Sequence, residues 1–247
     1  MRGMSRLSIV EMKLFLREPF LGFFTLIFPL LMLFSFGTVY GNEPNEYFGG
    51  HGMVDISVPA YTAIVIAMTA FLSLAIGMAT YRERGVLRRL RLTPLRPYAV
   101  LVSQVFVLLL MTAASTALLV ACARLVYGMR FQGDVISVAG AFVLSCFSFF
   151  SLGFVLAGLA PSTRTAQIIG MVAFYPMIFL SGSTMPLESM SEGLRHYAKI
   201  LPLTHVVTLL RGLWVGESWG QHVTEVIVLV AILVVGVVIS AFTFRWE

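Results

Sequence analysis

Long apolar blocks, separated by short polar segments, are the feature of this sequence that most restricts its fold. A helix needs ~20 mainly apolar residues to cross the ~30 Å hydrocarbon core of a bilayer, and several of these blocks are that long. Charged residues make up only 12% of the 247 residues, too few to cover the surface of a soluble domain of this size. The sequence therefore predicts an all-α integral membrane protein.

Six of the blocks are predicted to form transmembrane helices within a single domain covering residues 1–247. The predicted spans are 20–40, 56–81, 98–126, 135–160, 165–182 and 222–244. Before the first span, Leu7, Val10 and Leu14 recur at helical spacing in the otherwise charged segment 4–18, which predicts an amphipathic helix in the membrane interface. A cleaved signal peptide is the alternative, but the apolar run that follows is too long for one.

The basic residues predict the orientation of the chain. With a cytoplasmic N-terminus and C-terminus, twelve of the 17 Lys and Arg residues lie on the inner side, in agreement with the positive-inside rule. These twelve are Arg2, Arg6, Lys13, Arg17, the six arginines of 82–96, Arg164 and Arg245. The net charge of +5 therefore indicates an inner face that meets anionic lipid or a protein partner, with no role for nucleic acid.

The segment 183–220 is too long for a simple connection, and neither of its short apolar pieces is long enough to cross a bilayer. A helix that does not span survives at membrane depth only where protein or a water-filled cavity surrounds it. A re-entrant outer hairpin after span 5 is the preferred interpretation. An ordinary extracellular loop with surface helices is the alternative.

Residues able to carry chemistry are scarce. The sequence has no G-x-x-x-x-G-K-[ST] loop for ATP, and the span interiors hold almost no ionisable residue that would indicate proton coupling. The spacings of the four histidines match no standard metal-ligand set, so interfacial positions are preferred for them. These histidines are His51, His196, His205 and His222. A transporter of this kind would take its energy from another protein.

The inner segment 82–96 is the most charged part of the chain. Treated as a helix, it places Arg84, Arg88 and Arg91 on one face. The opposite face holds Val86, Leu87 and Leu90. A short two-faced helix between spans 2 and 3 is suited to force transmission, whereas unstructured positive-inside arginines are the alternative.

Two motifs resemble those of a known family. Residues 82–95 (RERGVLRRLRLTPL) resemble the R-E-R-G-x-L-x-x-L-x-x-T-P-L stretch of type-II ABC exporter permeases. Residues 179–188 (FLSGSTMPLE) are similar to the family's F-x-S-G-x-x-x-P-x-x run, and P-L-T and R-G-L elements follow in order from Pro202 and Arg211. The most similar subgroup is the daunorubicin-resistance type, with nodulation-factor exporters related to it.

The resemblance implies an assembly in the bacterial plasma membrane. Two permeases, either identical or homologous, pair with two copies of a separate ABC ATPase, which carries the ATP and Mg²⁺. This chain then has no cofactor, no metal and no catalytic residue, and is not itself an enzyme. ATPase coupling is implied for Arg82, Glu83, Arg84, Gly85, Val86, Leu87, Arg88, Leu90 and Arg91.

The resemblance also implies an outer motif and a translocation path between the two permeases. The outer motif comprises Ser181, Gly182, Pro186, Pro202, Arg211 and Gly212. The path is expected along spans 1, 2 and 5, with aromatic residues that suit a hydrophobic substrate. Those residues are Phe24, Phe28, Phe174, Tyr175 and Phe179.

The expected function is export of an amphiphilic or hydrophobic substrate, such as a drug, an antibiotic or a lipid-like molecule, as in multidrug efflux and antibiotic resistance. Export of a lipid-linked glycan is the alternative within the same class. A membrane-embedded lipid-modifying enzyme is the alternative from another class, and a non-transporting membrane anchor is a third.

Overall fold

Helices form nearly all of the chain that the computed structural model describes, namely residues 23–45, 50–86, 97–184 and 190–243. Within these ranges nine α-helices are numbered in chain order. They are α1 (Phe28–Tyr40), α2 (Met53–Met68), α3 (Ala75–Glu83), α4 (Pro97–Tyr127), α5 (Val135–Leu159), α6 (Thr163–Leu180), α7 (Glu192–Ala198), α8 (Pro202–Trp214) and α9 (Val223–Thr243). The expectation of a helical membrane protein is confirmed.

Short non-α helical segments extend three of these elements. A π-helix, Phe23–Ile27, leads into α1, and a 3₁₀ turn, Trp219–His222, leads into α9. A second π-helix, Thr69–Leu74, joins α2 to α3 without a break. We call the continuous helix Met53–Glu83 the central helix.

Within the described ranges, five helices are long and apolar enough to cross a membrane. They are Met53–Glu83, Leu101–Tyr127, Val135–Leu159, Thr163–Leu180 and Trp219–Thr243. The described apolar helix of the first predicted span, Thr25–Tyr40, is shorter than these five, so the count of six spans stays a prediction. The predicted interface helix 4–18, with Leu7, Val10 and Leu14, lies outside the described residues.

The central helix forms the core of the bundle. Buried residues make up 89% of its most apolar stretch, against 44% or less in the other four long helices. It packs against α1, α4, α5, α6 and α8. A helix that is apolar on all sides is stable only where protein or lipid surrounds it, and here the neighbouring helices provide that surrounding.

Two glycines allow α5 and α6 to approach the π-helix Thr69–Leu74. A Cβ on Gly153 would lie 2.5 Å from the carbonyl oxygen of Ala70, and one on Gly170 would lie 2.6 Å from that of Phe71. Both distances are too short for a real Cβ contact, so only glycine fits at these positions. The π-helix is therefore held between two closely packed neighbours.

Hydroxyl groups join several spans within the apolar bundle. Ser148 Oγ donates to the carbonyl oxygen of Leu229 at 2.8 Å and connects α5 to α9. Ser115 of α4 donates a hydrogen bond to the carbonyl oxygen of Thr25, in the π-helix Phe23–Ile27. Thr112, also of α4, donates from Oγ1 to Thr69 Oγ1 at 3.3 Å, in the π-helix Thr69–Leu74. Hydrogen bonds of this type are the usual polar contacts between membrane helices, and here α4 contacts both π-helices through them.

A buried carboxylate joins three helix ends on the side of the bundle that is predicted to face outwards. Asp55, in the first turn of α2, is 5% exposed and accepts hydrogen bonds from Asn42 Nδ2 at 2.9 Å and from the backbone N–H of Arg130 at 2.8 Å. Asn42 follows α1 and Arg130 follows α4, so one side chain fixes the ends of α1, α2 and α4 relative to one another. A buried carboxylate is stable only with such partners.

Polar N-caps fix where α5 and α6 begin. Asp134 accepts the backbone N–H of Ser137 at 2.8 Å, and these hydrogen bonds from Ser137 hold the pKa of the Asp134 carboxyl below its ordinary value. Ser162 Oγ accepts the backbone N–H of Thr165 at 3.2 Å at the start of α6. Side-chain oxygens of this kind satisfy N–H groups that the helix itself leaves unpaired.

Candidate coupling site and outer motif

The arginine-rich motif begins at the end of the central helix. Its residues Arg82 to Val86 are described, whereas Leu87, Arg88, Leu90 and Arg91 lie outside the described residues. The helix ends at Glu83, Arg84 N–H donates to Thr80 O at 2.9 Å, and Gly85 adopts a φ of +66°. This left-handed glycine closes the helix and turns the chain.

The turn changes the expected geometry of the motif. The sequence predicts Arg84 in the same helix as Arg88 and Arg91. The structure interrupts that helix at Arg84 and Gly85, so an unbroken helical face running through Arg84 is wrong. Any coupling helix begins after Gly85, because a glycine at positive φ ends the preceding helix. The role of these residues in ATPase coupling stays a prediction.

Arg82 binds the end of α5. Its guanidinium donates to the carbonyl oxygen of Ala160 and, at 3.5 Å, to that of Gly158. The last carbonyl groups of a helix have no partner within it and carry the negative end of the helix dipole. A cation at this position is therefore favoured by both hydrogen bonding and charge.

Glu83 binds the start of α6. Its Oε2 accepts the backbone N–H of Thr163 at 2.8 Å, and Thr80 Oγ1 lies 3.2 Å from Thr163 Oγ1. A carboxylate at a helix N-terminus meets free N–H groups and the positive end of the dipole. Arg82 and Glu83, which we call the clasp, thus connect the central helix to the α5–α6 connection.

The clasp adds a structural role to two residues that the sequence analysis assigned to ATPase contact. The sequence contained one usable signal, because Ser162 ahead of an apolar run marks a helix start that a carboxylate can reach. Nothing in the sequence indicated which carboxylate would bind the start of α6. The pairing depends on a tertiary contact between residues 80 positions apart.

Four of the five predicted path residues have described side chains, and they do not form one surface. Phe174 is 2% exposed and lies within the bundle, whereas its neighbours Tyr175 and Phe179 on α6 are 48% and 64% exposed. Phe28 of α1 is partly buried, and Phe24 belongs to the first π-helix by its backbone, its side chain lying outside the described part. Of these four side chains, only Tyr175 and Phe179 are among the exposed large apolar side chains.

Tyr175 and Phe179 belong to an exposed apolar stripe on α6. Ile168 and Val172 complete it, at the i, i+4, i+7 and i+11 positions of one helix face. We call these four residues the α6 stripe. Its side chains face away from the central helix and are free to contact lipid or a second protein surface.

The α1 segment carries a second exposed apolar stripe with similar spacing. Phe23, Ile27, Leu31 and Phe34 are each between 38% and 49% exposed. Both α1 and α6 pack on the central helix, so the two stripes lie on direct neighbours of the core.

Three residues of the outer motif, Ser181, Gly182 and Arg211, lie close together where α6 ends and α8 ends. Arg211 donates to the carbonyl oxygen of Gly182 at 3.1 Å, and Ser181, fully buried, donates to Ser183 Oγ at 3.1 Å. Ser183 in turn donates to Ile178 O at 2.8 Å, which closes the end of α6. The 179–188 run therefore contacts the R-G-L element that begins at Arg211.

Gly212 and Pro202 occupy defined positions within α8, while Pro186 lies outside the described residues. Pro202 is the first residue of α8, where its missing N–H removes no helical hydrogen bond. A Cβ on Gly212 would overlap the imidazole of His222, so glycine is required for this packing. The side chain of His222 is buried and its Nε2 lies 2.7 Å from Glu217 Oε2.

The sequence predicts an interfacial position for His222 and indicates no partner for it. The structure places it between Glu217 and Glu225, whose Oε2 lies 3.8 Å from His222 Nδ1. Within the described ranges no group of three His, Cys, Asp or Glu residues is arranged to hold a metal ion. In the sequence, the small residue Gly212 indicates close packing at this position. Sequence alone does not identify His222 as the side chain that packs there.

The short helix α8 is buried although it is too short to cross a bilayer. Its 13 residues pack against the central helix, α5, α6 and α9. The apolar face is inside the bundle, with Leu203, Val206 and Leu210 at 1% exposure or less. Such burial distinguishes α8 from a helix that lies free on the surface of a loop.

This is the fold of a multi-pass membrane protein. Long apolar helices surround a buried apolar core helix, and hydrogen bonds from polar side chains connect the helices at both ends of the bundle. The chain belongs to the ABC-2 type transporter family, whose model matches residues 4–214. This match confirms the resemblance to type-II ABC permeases.

Curated relatives agree with the family. The chain is 26% identical to the inner membrane transport permease YhhJ of Escherichia coli K12 over 66% of this chain and 46% of the relative. It is 34% identical to nodulation protein J of Neorhizobium galegae over 42% and 39% of the two chains. It is 26% identical to the daunorubicin resistance ABC transporter permease protein DrrB1 of Streptomyces coeruleorubidus over 78% and 66%. The matched region is thus less than half of the Escherichia coli permease.

Proposed function

We propose that this chain is the transmembrane subunit of an ATP-driven exporter of amphiphilic or hydrophobic molecules in a bacterial plasma membrane. A separate ABC ATPase supplies the energy. The observation that carries this proposal is the position of the 82–95 motif, which begins at the end of the helix on which five other helices pack. A force applied there reaches the whole bundle.

Force transmission through this site depends on the clasp. Arg82 and Glu83 bind the facing ends of α5 and α6, so a movement of the motif displaces the central helix, α5 and α6 together. The ATPase itself binds further along the motif, at Arg84, Arg88 and Arg91. ATP binding closes the ATPase pair, and hydrolysis resets it.

The exposed stripes on α1 and α6 support an assembly of two permeases. Membrane helices associate through close packing of complementary faces. The α6 stripe, with Tyr175 and Phe179, meets the partner permease and borders the translocation path. Phe174 packs behind Tyr175, with ring centroids 5.8 Å apart, and holds that ring in position.

The burial of α8 supports a re-entrant hairpin after the fifth span. Backbone at membrane depth that does not span must be covered by protein, and α8 is covered by four helical neighbours. With a cytoplasmic N-terminus and C-terminus, this hairpin and the outer motif face the exterior, and the clasp faces the cytoplasm. The hydrogen bond from Arg211 to Gly182 then holds the hairpin against α6.

The exporter's cargo is proposed as a hydrophobic or amphiphilic compound of the drug or antibiotic type. The Streptomyces coeruleorubidus relative is named for daunorubicin resistance. The apolar surface of α1 and α6 is consistent with a cargo that enters from the bilayer.

Charge reversal tests the ATPase coupling. We expect the triple variant Arg84→Glu, Arg88→Glu, Arg91→Glu to lose co-purification with a co-expressed cassette ATPase, because repulsion replaces attraction where the ATPase docks. The reconstituted complex should also lose stimulation of ATP hydrolysis. Both are measured on the co-expressed full-length proteins.

Arg130→Glu with Lys199→Glu provides a matched control on the opposite side of the bundle, since both residues lie near the predicted outer face. We expect this control to retain both the partner and the ATPase stimulation. If the triple variant behaves like the control, the motif does not couple the permease to an ATPase.

A further inference from the structure

A cavity of about 460 Å³ lies between α4 and α5, beside the loop that joins them. The central helix contributes Pro59 and Thr62 to its wall, and α8 contributes Leu210 and Trp214. Its volume lies within the ~300–1,000 Å³ that small-molecule pockets occupy. The cavity lining contains no residue of the clasp or the α6 stripe, and none of the five aromatic residues named for the translocation path.

Two helix faces that would pack together in an ordinary bundle are separated by this cavity. The α4 face consists of Ala113, Thr116, Ala117, Val120 and Arg124, at the i, i+3, i+4, i+7 and i+11 positions of one helix side. The α5 face consists of Val135, Val138, Ala139 and Phe142, with the same helical spacing. An empty apolar space leaves such faces without dispersion contacts, which favours an apolar occupant.

A cation lies at one end of the cavity. Arg124 is exposed, and within the described part of the chain no salt bridge joins it to a carboxylate. From Arg124 to Ala113 the α4 face rises about 16 Å, at ~1.5 Å per residue. That length is close to half of the ~30 Å hydrocarbon core, which is the depth of one leaflet.

Two lining residues carry a buried polar atom without a partner. Thr116 Oγ1 and Trp214 Nε1 are shielded from solvent, and neither makes a hydrogen bond with the described residues. Trp214 as a whole is only 6% exposed. Because buried polar groups are nearly always hydrogen-bonded, these two atoms indicate a ligand with a hydrogen-bond acceptor beside its apolar part.

We propose that this cavity binds an amphiphile from one membrane leaflet, with an acidic head group at Arg124 and a hydrocarbon body between α4 and α5. An ester or carboxyl oxygen of the ligand accepts hydrogen bonds from Thr116 and Trp214. The apolar walls, the length of the α4 face and the single cation all match this class of molecule. The site is independent of the proposed transport function, because binding requires neither ATPase nor cargo movement.

Photo-labelling in lipid nanodiscs tests the site. The full-length chain is reconstituted with phosphatidylglycerol that carries a diazirine in its acyl chain, or with the matching phosphatidylcholine probe, and labelled peptides are mapped by mass spectrometry. We expect labelling on the facing surfaces of α4 and α5, about fivefold stronger for the anionic probe, as one basic residue near an anionic lipid implies. Arg124→Gln should remove this preference, whereas Arg130→Gln, at an arginine outside the cavity, should keep it.

Filling the cavity provides a second test. Ala117→Phe with Ala139→Phe should abolish labelling of these surfaces, and Ala114→Phe, on another face of α4, should not. Size-exclusion elution identifies any variant that has lost its fold. A photoactivatable single-chain fatty acid distinguishes the source of the ligand: labelling by this probe alone identifies a free acid, and labelling by phosphatidylglycerol identifies a bilayer lipid.

Equal labelling by anionic and zwitterionic probes, or unchanged labelling after the cavity is filled, would overturn the proposal. Either result would mean that the probes report only the general lipid boundary. Transport and ATPase activity play no part in these readouts, so the proposal and the exporter function fail or succeed separately.

Discussion

Arg82 and Glu83 are adjacent residues of opposite charge that bind opposite helix ends. If their main task is to transmit movement into α5 and α6, Arg82→Ala with Glu83→Ala should leave the ATPase bound while transport is lost. The physical reason is that both contacts of the clasp are made within this chain, to Ala160 and Thr163. Co-purification and substrate transport by the same reconstituted complex separate binding from coupling.

The conservative variant Glu83→Gln serves as the control for this prediction. Its amide oxygen still accepts the N–H of Thr163, so it should retain much of the transport that Glu83→Ala loses. Loss of the ATPase from the double alanine variant would instead place Arg82 and Glu83 in the ATPase interface, as the family resemblance implies.

At the residue scale, the sequence identified important positions more readily than their partners. It selected Arg82, Glu83, Gly182 and Arg211 from their motifs. The carbonyl and amide groups that these residues bind belong to helix ends elsewhere in the chain, and backbone groups leave no mark on the sequence. The contact between Arg211 and Gly182 was therefore beyond sequence reasoning.

At the scale of helices, the approach of α5 to the π-helix Thr69–Leu74 depends on a missing side chain. We expect Gly153→Ala to destabilise the protein by about 1–3 kcal/mol, the usual cost of inserting a group into a packed interior. The added Cβ would lie 2.5 Å from Ala70 O, a backbone atom that cannot move aside alone. Thermal unfolding of the purified protein in detergent measures the change.

Gly140→Ala is the matched control within the same helix. There a Cβ would lie 3.5 Å from the Trp219 ring, which is an ordinary contact. The stability of this variant should therefore be unchanged, or higher by the ~1 kcal/mol by which alanine stabilises a helix relative to glycine. Equal melting temperatures for the two variants would show that α5 has room to shift away from the π-helix.

Helices themselves were largely accessible from the sequence, because the hydropathy of a block is a local property. The π-helix Thr69–Leu74 could not be predicted from the sequence, since that segment contains no proline or glycine that would mark an irregular turn. The sequence also does not show whether α8 is buried, because a 13-residue amphipathic helix has the same pattern of apolar residues on a surface and inside a bundle. The break at Gly85 could have been anticipated from glycine's preference for helix C-termini.

At the scale of the whole molecule, we propose the exposed α6 stripe as the face that meets a second permease. We expect Phe179→Cys, in a chain whose Cys122 and Cys146 are replaced by serine and alanine, to form a disulfide-linked dimer in native membranes under mild oxidation. Phe179 is 64% exposed on a regular apolar face, and a symmetric pair of permeases brings equivalent positions close to the two-fold axis. Non-reducing gel electrophoresis detects the product.

Ile227→Cys on α9 is the control, because its side chain is 62% exposed but lies on a helix that makes no substantial contact with the central helix. Cross-linking at Phe179 without cross-linking at Ile227 supports the α6 stripe as the interface. The reverse pattern would move the interface to α9 and separate the translocation path from Tyr175 and Phe179. Because a path between two permeases must be bordered by their shared interface, this one comparison also tests where the substrate can pass.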